Sequence, residues 1–204
     1  GVPMGGDLVP YPRKGKEKKA PTFLLHAVKD PDGANLDRIQ VVKGWRDTTG
    51  NLNEKVYDVA WSGDRSIGRN GKLPAVGSSV DVASATYLNS IGSHSLSTTW
   101  TDPDFNRMEA AFYYVRVLQI PTPRWQTYET SFYNIEERPE PVVIQERAYS
   151  SPIWYTPCDF SCGVESTAFQ SRIVYRLLPR RFFGKSGRCI YISFHTWKLQ
   201  IESL

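Results

Sequence analysis

No stretch of the first 157 residues keeps apolar side chains at helical spacing for three turns, which excludes long amphipathic helices as the framework of this chain. What recurs instead is short: β-branched and aromatic runs, each ended after roughly ten residues by a cluster of Gly, Pro, Asn or Asp. "PTFLLHAVKD" (21–30) and "LDRIQVVKGW" (36–45) read as the two strands of a hairpin. "EKVYDVAWSG" (54–63) extends them to a meander, with Tyr57, Val59 and Trp61 alternating with Asp58 and Ala60 as a half-buried strand requires. After a long loop with an Asn70-Gly71 turn, "VDVASATYLNS" (80–90) and the Thr-rich "SLSTTWTDPDF" (95–105) read as further strands. "NRMEAA" supplies at most one helical turn. The strongest strand is "FYYVRVLQIP" (112–121), stopped by Pro121, which has no amide hydrogen for a ladder. Residues 122–141 read as irregular, and "VVIQERAYSSPIWYT" (142–156) as one or two closing strands. Six to eight short strands with little helix predict a mainly β protein, an antiparallel β-sandwich of immunoglobulin-like topology.

Charge divides the chain at one point. Eighteen of the 25 basic and eighteen of the 21 acidic side chains lie at or before Pro157, so the body is neutral and the whole net charge of +4 sits in residues 158–204. All three cysteines, Cys158, Cys162 and Cys189, lie there too. A neutral body offers no broad basic face, so nucleic acid is not expected as a partner, and the Lys-rich run from Arg13 to Lys19 reads as a solvated loop. No run approaches the roughly 18 consecutive apolar residues of a membrane span. No secretory signal follows Gly1, and an opening without Met marks a fragment or a processed product.

Few residue patterns carry chemistry. "DPDGANLD" gathers Asp30, Asp32, Asn35 and Asp37 within eight residues, an oxygen-rich loop of the kind calcium prefers. The spacing misses the EF-hand pattern, with Gly33 at the fourth position instead of the sixth and Val41 where a bidentate Glu belongs, so a solvated turn is the favoured reading. In "WTDPDF", Asp102 and Asp104 could form an acid and base pair, or a turn whose Trp100 and Phe105 dock on the core. His26, His94 and His195 lie apart from one another, and Cys158 and Cys162 have no second pair, so no zinc spacing exists. "FGKSG" fails as a phosphate loop because Pro179 stands where the first Gly is needed. Arg65, Arg124 with Trp125, and Arg147 remain as arginines beside aromatics at loops or strand ends, suited to a domain interface or the rim of a pocket. Surface arginines lying over rings are the competing reading.

The blocks "GVPMGGDL", "KDPDGANLDRIQVVKGW", "EKVYDVAWSGDR", "GKLPAVGSSVDVASATYLNSIG", "WTDPDF", "AFYYVRVLQIPTPRW" and "IQERAYSSPIWYTP" together resemble the C-terminal part of a large bacterial family of unknown function. That family is similar to the polymerase-and-histidinol-phosphatase (PHP) metallohydrolases. The resemblance covers residues 1–157. It implies residues 1–20 as a linker from a missing N-terminal PHP-like barrel, 21–157 as a β-sandwich accessory domain, and that barrel as the partner. The divalent metal belongs to the barrel. None of its ligand motifs is present here, so no cofactor is expected in this fragment, which should hydrolyse nothing by itself. The alternative to an accessory domain is a self-contained β-sandwich binding module that uses exposed aromatics for a carbohydrate or cell-surface ligand. Members of the family often look exported or periplasmic. Residues 158–204 depart from the family pattern where charge and cysteine usage jump, and read as an atypical tail, read-through or frame-shifted, with a genuine extension adding strands to a sheet edge as the rival.

Overall fold

The computed structural model describes residues 1–8, 19–137, 139–157, 189–195 and 198–200, the last two stretches by their backbone alone. Cys158, Cys162, the "FGKSG" stretch and most of the Lys-rich run lie outside the described residues. In chain order the elements are β1 (Asp7–Leu8), β2 (Thr22–Val28), β3 (Leu36–Arg46), β4 (Leu52–Trp61), β5 (Ser95–Thr101), β6 (Ala110–Gln119), β7 (Thr122–Pro123), helix α1 (Trp125–Phe132), β8 (Val143–Ile144), β9 (Arg147–Tyr149), β10 (Ile153–Tyr155), β11 (Cys189–His195) and β12 (Lys198–Gln200).

Two sheets share these strands. The first, sheet A, runs β1-β10-β6-β3-β4, with β9 also on β6; the second, sheet B, runs β12-β11-β2-β5; β7 and β8 form a small ribbon. Pairing is antiparallel except at β1 with β10 and β11 with β2. Alternation sets what faces inward. On β2, Phe23, Leu25 and Ala27 are buried; on β6, Ala111, Tyr113, Val115 and Val117. These side chains meet Ile39 and Val41 of β3, Leu96 of β5 and Ile153 and Tyr155 of β10 in one core between the sheets, as a β-sandwich requires.

Three local expectations are corrected. β2 and β3 are not a hairpin: β2 pairs with β5 and β3 with β4 and β6, so "DPDGANL" carries the chain from one sheet to the other. The β3–β4 hairpin does form. Its loop closes on Asp47, whose carboxylate accepts hydrogen bonds from the Thr49 amide and hydroxyl and from the Asn51 amide. Residues 80–90 make only an isolated bridge between Asp81 and Thr86; Ala85 is buried, but none of these residues joins the core between the sheets. Residues 125–132, read as irregular, are helical. The "NRMEAA" stretch is a turn, with the Glu109 amide on the Asn106 carbonyl.

A charged pair lies inside this core. Lys43 of β3 places its ammonium 2.6 Å from the Asp102 carboxylate and donates to the Asp104 carbonyl at 2.8 Å, while Tyr113 donates to Asp102 at 2.8 Å. The ammonium also faces the Trp45 and Tyr113 rings. The "WTDPDF" turn after β5 is thus clasped to sheet A, and Trp100 and Phe105 pack on Phe23, Tyr57 and Tyr155. Removing one partner strands the other charge where water cannot reach it. Lys43→Met is therefore expected to lose about 3–5 kcal/mol of stability in urea unfolding, against under about 0.5 kcal/mol for a surface substitution such as Lys72→Met.

Candidate interface

The residues singled out by sequence fall into different environments. Arg65 lies inside the fold: it donates to Asp37 Oδ1 at 2.7 Å and to the carbonyls of Asp37, Ser62 and Pro74. Asp37 is fully buried, and its other oxygen accepts from Arg38 at 2.9 Å and Gln145 at 3.1 Å. This node ties the start of β3, the loop after β4 and the approach to β9. Three side-chain donors thus satisfy the buried carboxylate from both of its oxygens.

Asp30, Asp32, Asn35 and Asp37 are not brought together. The Lys29 ammonium donates to the carbonyls of Asp30, Pro31 and Gly33 at 2.7, 2.8 and 3.0 Å, holding the turn with a cation of its own. Asp30 Oδ1 caps the Asp32 amide, Asn35 turns to the Asn89 and Ile91 carbonyls, and Asp37 faces its arginines. Among the described residues, no group of three or more His, Cys, Asp or Glu side chains is placed to hold a metal ion. His26 sits half-buried on β2, with Nδ1 2.5 Å from the Ser97 hydroxyl.

Asp102 and Asp104 share a turn but not a role. Asp102 is buried against Lys43; Asp104 is half-exposed and takes Lys55 at 2.5 Å and the Tyr57 hydroxyl at 2.7 Å. Those two donors, Lys55 first, hold the Asp104 carboxyl below its ordinary 3.8. Burial, and then the bond to Asp102, pushes the Tyr113 phenol well above its ordinary 10.0; burial and Asp104 do the same to Tyr57. The two carboxylates are thus engaged by separate donors rather than facing each other across a cleft as an acid and base pair would.

Arg124, Trp125 and Arg147 do reach the surface. Arg147 is exposed on β9, opposite Leu118. Arg124 is the extended residue before α1, its amide on the Val142 carbonyl and its own carbonyl accepting from the Thr127 amide. Trp125 opens the helix and is 59 % exposed. The helix is built inside out. Its buried residues are Thr127 and Thr130, whose hydroxyls donate to the Val142 and Thr127 carbonyls, while Trp125, Tyr128 and Phe132 face solvent. Asn134, at φ 53°, ends it, with the Ile135 amide returning to the Thr130 carbonyl. Tyr133 and Ile135 join the patch, and Phe132 and Tyr133 meet edge to face at 5.0 Å. Sequence reading found Trp125 and missed the others. Thr127 and Thr130 at i and i+3, with Trp125, Tyr128 and Phe132 around them, were the available signal, hidden because apolar residues are normally assigned to the inside.

A family described as protein of unknown function (DUF3604) matches residues 1–157. No curated protein and no solved structure matches the chain.

The titration shifts fix a pH profile. Asp104 releases its proton more readily when folded, so its contribution is complete above pH 3.8 and is lost as pH falls below it. Tyr113 and Tyr57 hold theirs longer when folded, so their contribution is complete below pH 10.0 and is lost as pH rises above it. Urea midpoints measured from about pH 3 to pH 11 are expected to fall at both ends, with Asp104→Asn flattening the acid limb and Tyr113→Phe the alkaline one.

Proposed function

The chain belongs to the DUF3604 family, and from that premise we propose that residues 21–157 are a non-catalytic β-domain that packs through the α1 face on another part of its parent protein. The resemblance to PHP-like proteins makes that other part a metal-dependent phosphoesterase barrel, with the divalent metal held there. The observation that carries this reading is the inverted helix. Burying one large apolar side chain is worth about 1.5–3 kcal/mol, yet α1 leaves Trp125 59 %, Tyr128 44 % and Phe132 78 % exposed and buries two threonines instead. The Thr127 hydroxyl anchors the helix to the Val142 carbonyl, and the Thr130 hydroxyl bonds back within it to the Thr127 carbonyl, so the threonine side is fixed inward and the aromatics face out. Trp and Tyr in such a cluster, with Arg124 at its border, have the composition of an interface centre.

Exposed aromatics without their covering surface should associate with one another. The isolated chain is expected to bind the dye ANS and to self-associate in sedimentation velocity, and Trp125→Ser with Phe132→Ser to reduce both. Co-expressed with the upstream part of the parent reading frame, it is expected to form a one-to-one complex that the same pair of substitutions weakens tenfold or more. Turnover of a phosphate ester by the isolated chain with stoichiometric bound metal would contradict the non-catalytic role. An undiminished complex with the double variant would contradict the α1 contact.

A further inference from the structure

A second set of rings lies on the outer face of sheet A, and none of it belongs to α1. β6 turns Phe112 and Tyr114 away from the core, and its neighbours on the same side contribute Trp154 from β10 and Tyr149 from β9. The four form a continuous row. Trp154 and Phe112 have ring centres 5.3 Å apart, Phe112 and Tyr114 6.4 Å, and Tyr114 and Tyr149 6.2 Å. Phe112 and Tyr114 are nearly parallel, 7° apart, while Trp154 and Tyr149 are tilted by 48° and 45° to the rings beside them, so the row is a twisted line of rings rather than one plane. Its two ends are the most open, with Trp154 48 % and Tyr149 49 % exposed.

Beside Trp154 the row runs into a groove of about 510 Å³ crossing β4, β3, β6 and β10, within the usual range of ligand sites, about 300–1,000 Å³. Gly44 shapes its floor. A Cβ on Gly44 would stand 2.3 Å from the Phe112 ring, so the missing side chain is what lets that ring lie against the backbone of β3. Arg46, Asn53, Glu54 and Thr156 rim the groove with both donors and acceptors. At the far end of the row Arg116 donates to Gln40, and Gln40 donates to Asp58. Arg46 offsets Glu54 at one end and Arg116 offsets Asp58 at the other, and Arg147, two residues before Tyr149 on β9, adds an exposed guanidinium to the same side, so the face is polar at its margins with a small positive excess.

We propose that this face binds a neutral oligosaccharide, with successive sugar rings stacked along Trp154, Phe112, Tyr114 and Tyr149. A pyranose ring has an apolar C–H face that suits the exposed face of an aromatic ring and a border of hydroxyls that both donate and accept. The row supplies the first need, and the guanidinium, amide and carboxylate groups at its margins supply the second. A nucleic acid strand would require a continuous basic track along its phosphates, whereas Glu54 and Asp58 interrupt the arginines of this face. An added peptide strand would require an unpaired strand edge, whereas Phe112 and Tyr114 stand on β6, paired on both sides. This site goes beyond the α1 contact and uses different residues.

Native-gel affinity electrophoresis of the 204-residue chain, with soluble β-glucan, xylan or galactomannan cast into the gel, tests it. At least one of these neutral polysaccharides is expected to retard the chain. Trp154→Ala and Tyr149→Ala are each expected to weaken that retardation tenfold or more, while Trp125→Ala on α1 leaves it unchanged. Far-UV circular dichroism confirms that each variant is folded, and if one is not, the other decides. No retardation by any of the three polysaccharides overturns the proposal. So does retardation that survives both substitutions, or retention confined to anionic dextran sulfate.

Discussion

A strand buried on one face can send only every second side chain inward, and in β6 that constraint shapes both surfaces of sheet A. The strand lies between β3 on one side and β9 and β10 on the other, with Ala111, Tyr113, Val115 and Val117 facing sheet B. The residues between them must then face outward, and two of these are Phe112 and Tyr114. The same register that fills the core thus fixes the aromatic row outside it. A slip of one residue would exchange the two sets, placing Arg116 in the core. The Tyr113–Asp102–Lys43 clasp opposes such a slip, because it would part these polar groups inside the packed interior.

Two principles of burial operate side by side in the molecule. Between the sheets, apolar area dominates, and the Lys43–Asp102 pair is held by further hydrogen bonds from and to its neighbours. At the end of the sandwich near the start of β3, polar connections take over: Arg65, Arg38 and Gln145 converge on Asp37, Lys29 holds three carbonyls, and Asn35 holds the loop at 89–91. That end carries the long segment between β4 and β5, which forms no strand of its own. A segment lacking a ladder must satisfy its backbone groups by other means, and the side chains of β3 and its approach do this.

Much of the architecture was legible because period two is a local property. β3, β4, β5 and β6 were visible from their own residues, as was the stop at Pro121. Partnership was not, since a turn-rich link such as "DPDGANL" serves equally to fold a strand back or to pass it to the opposite sheet. The choice depends on which face of β2 finds the core. The helix was obscured for a different reason: α1 spans only eight residues, and its apolar and polar positions are reversed relative to the core. Arg65 and Asp37 were both noticed as separate candidates, one for an interface and one for calcium, and the fold pairs them with each other. Charges far apart in sequence cannot be paired by spacing alone.

The margin of sheet A beyond β6 is made of pieces: β9 and β10, three residues each, are separated by Ser150, Ser151 and Pro152, and the two-residue β1 lies outside them. Ser150 turns both its amide and its hydroxyl to Val115, absorbing the break. A fragmented border of this kind offers no long template for cross-β growth, so the margin beside the aromatic row is closed to strand addition, and the continuous edge of the sheet lies at the opposite margin, on the ten-residue β4.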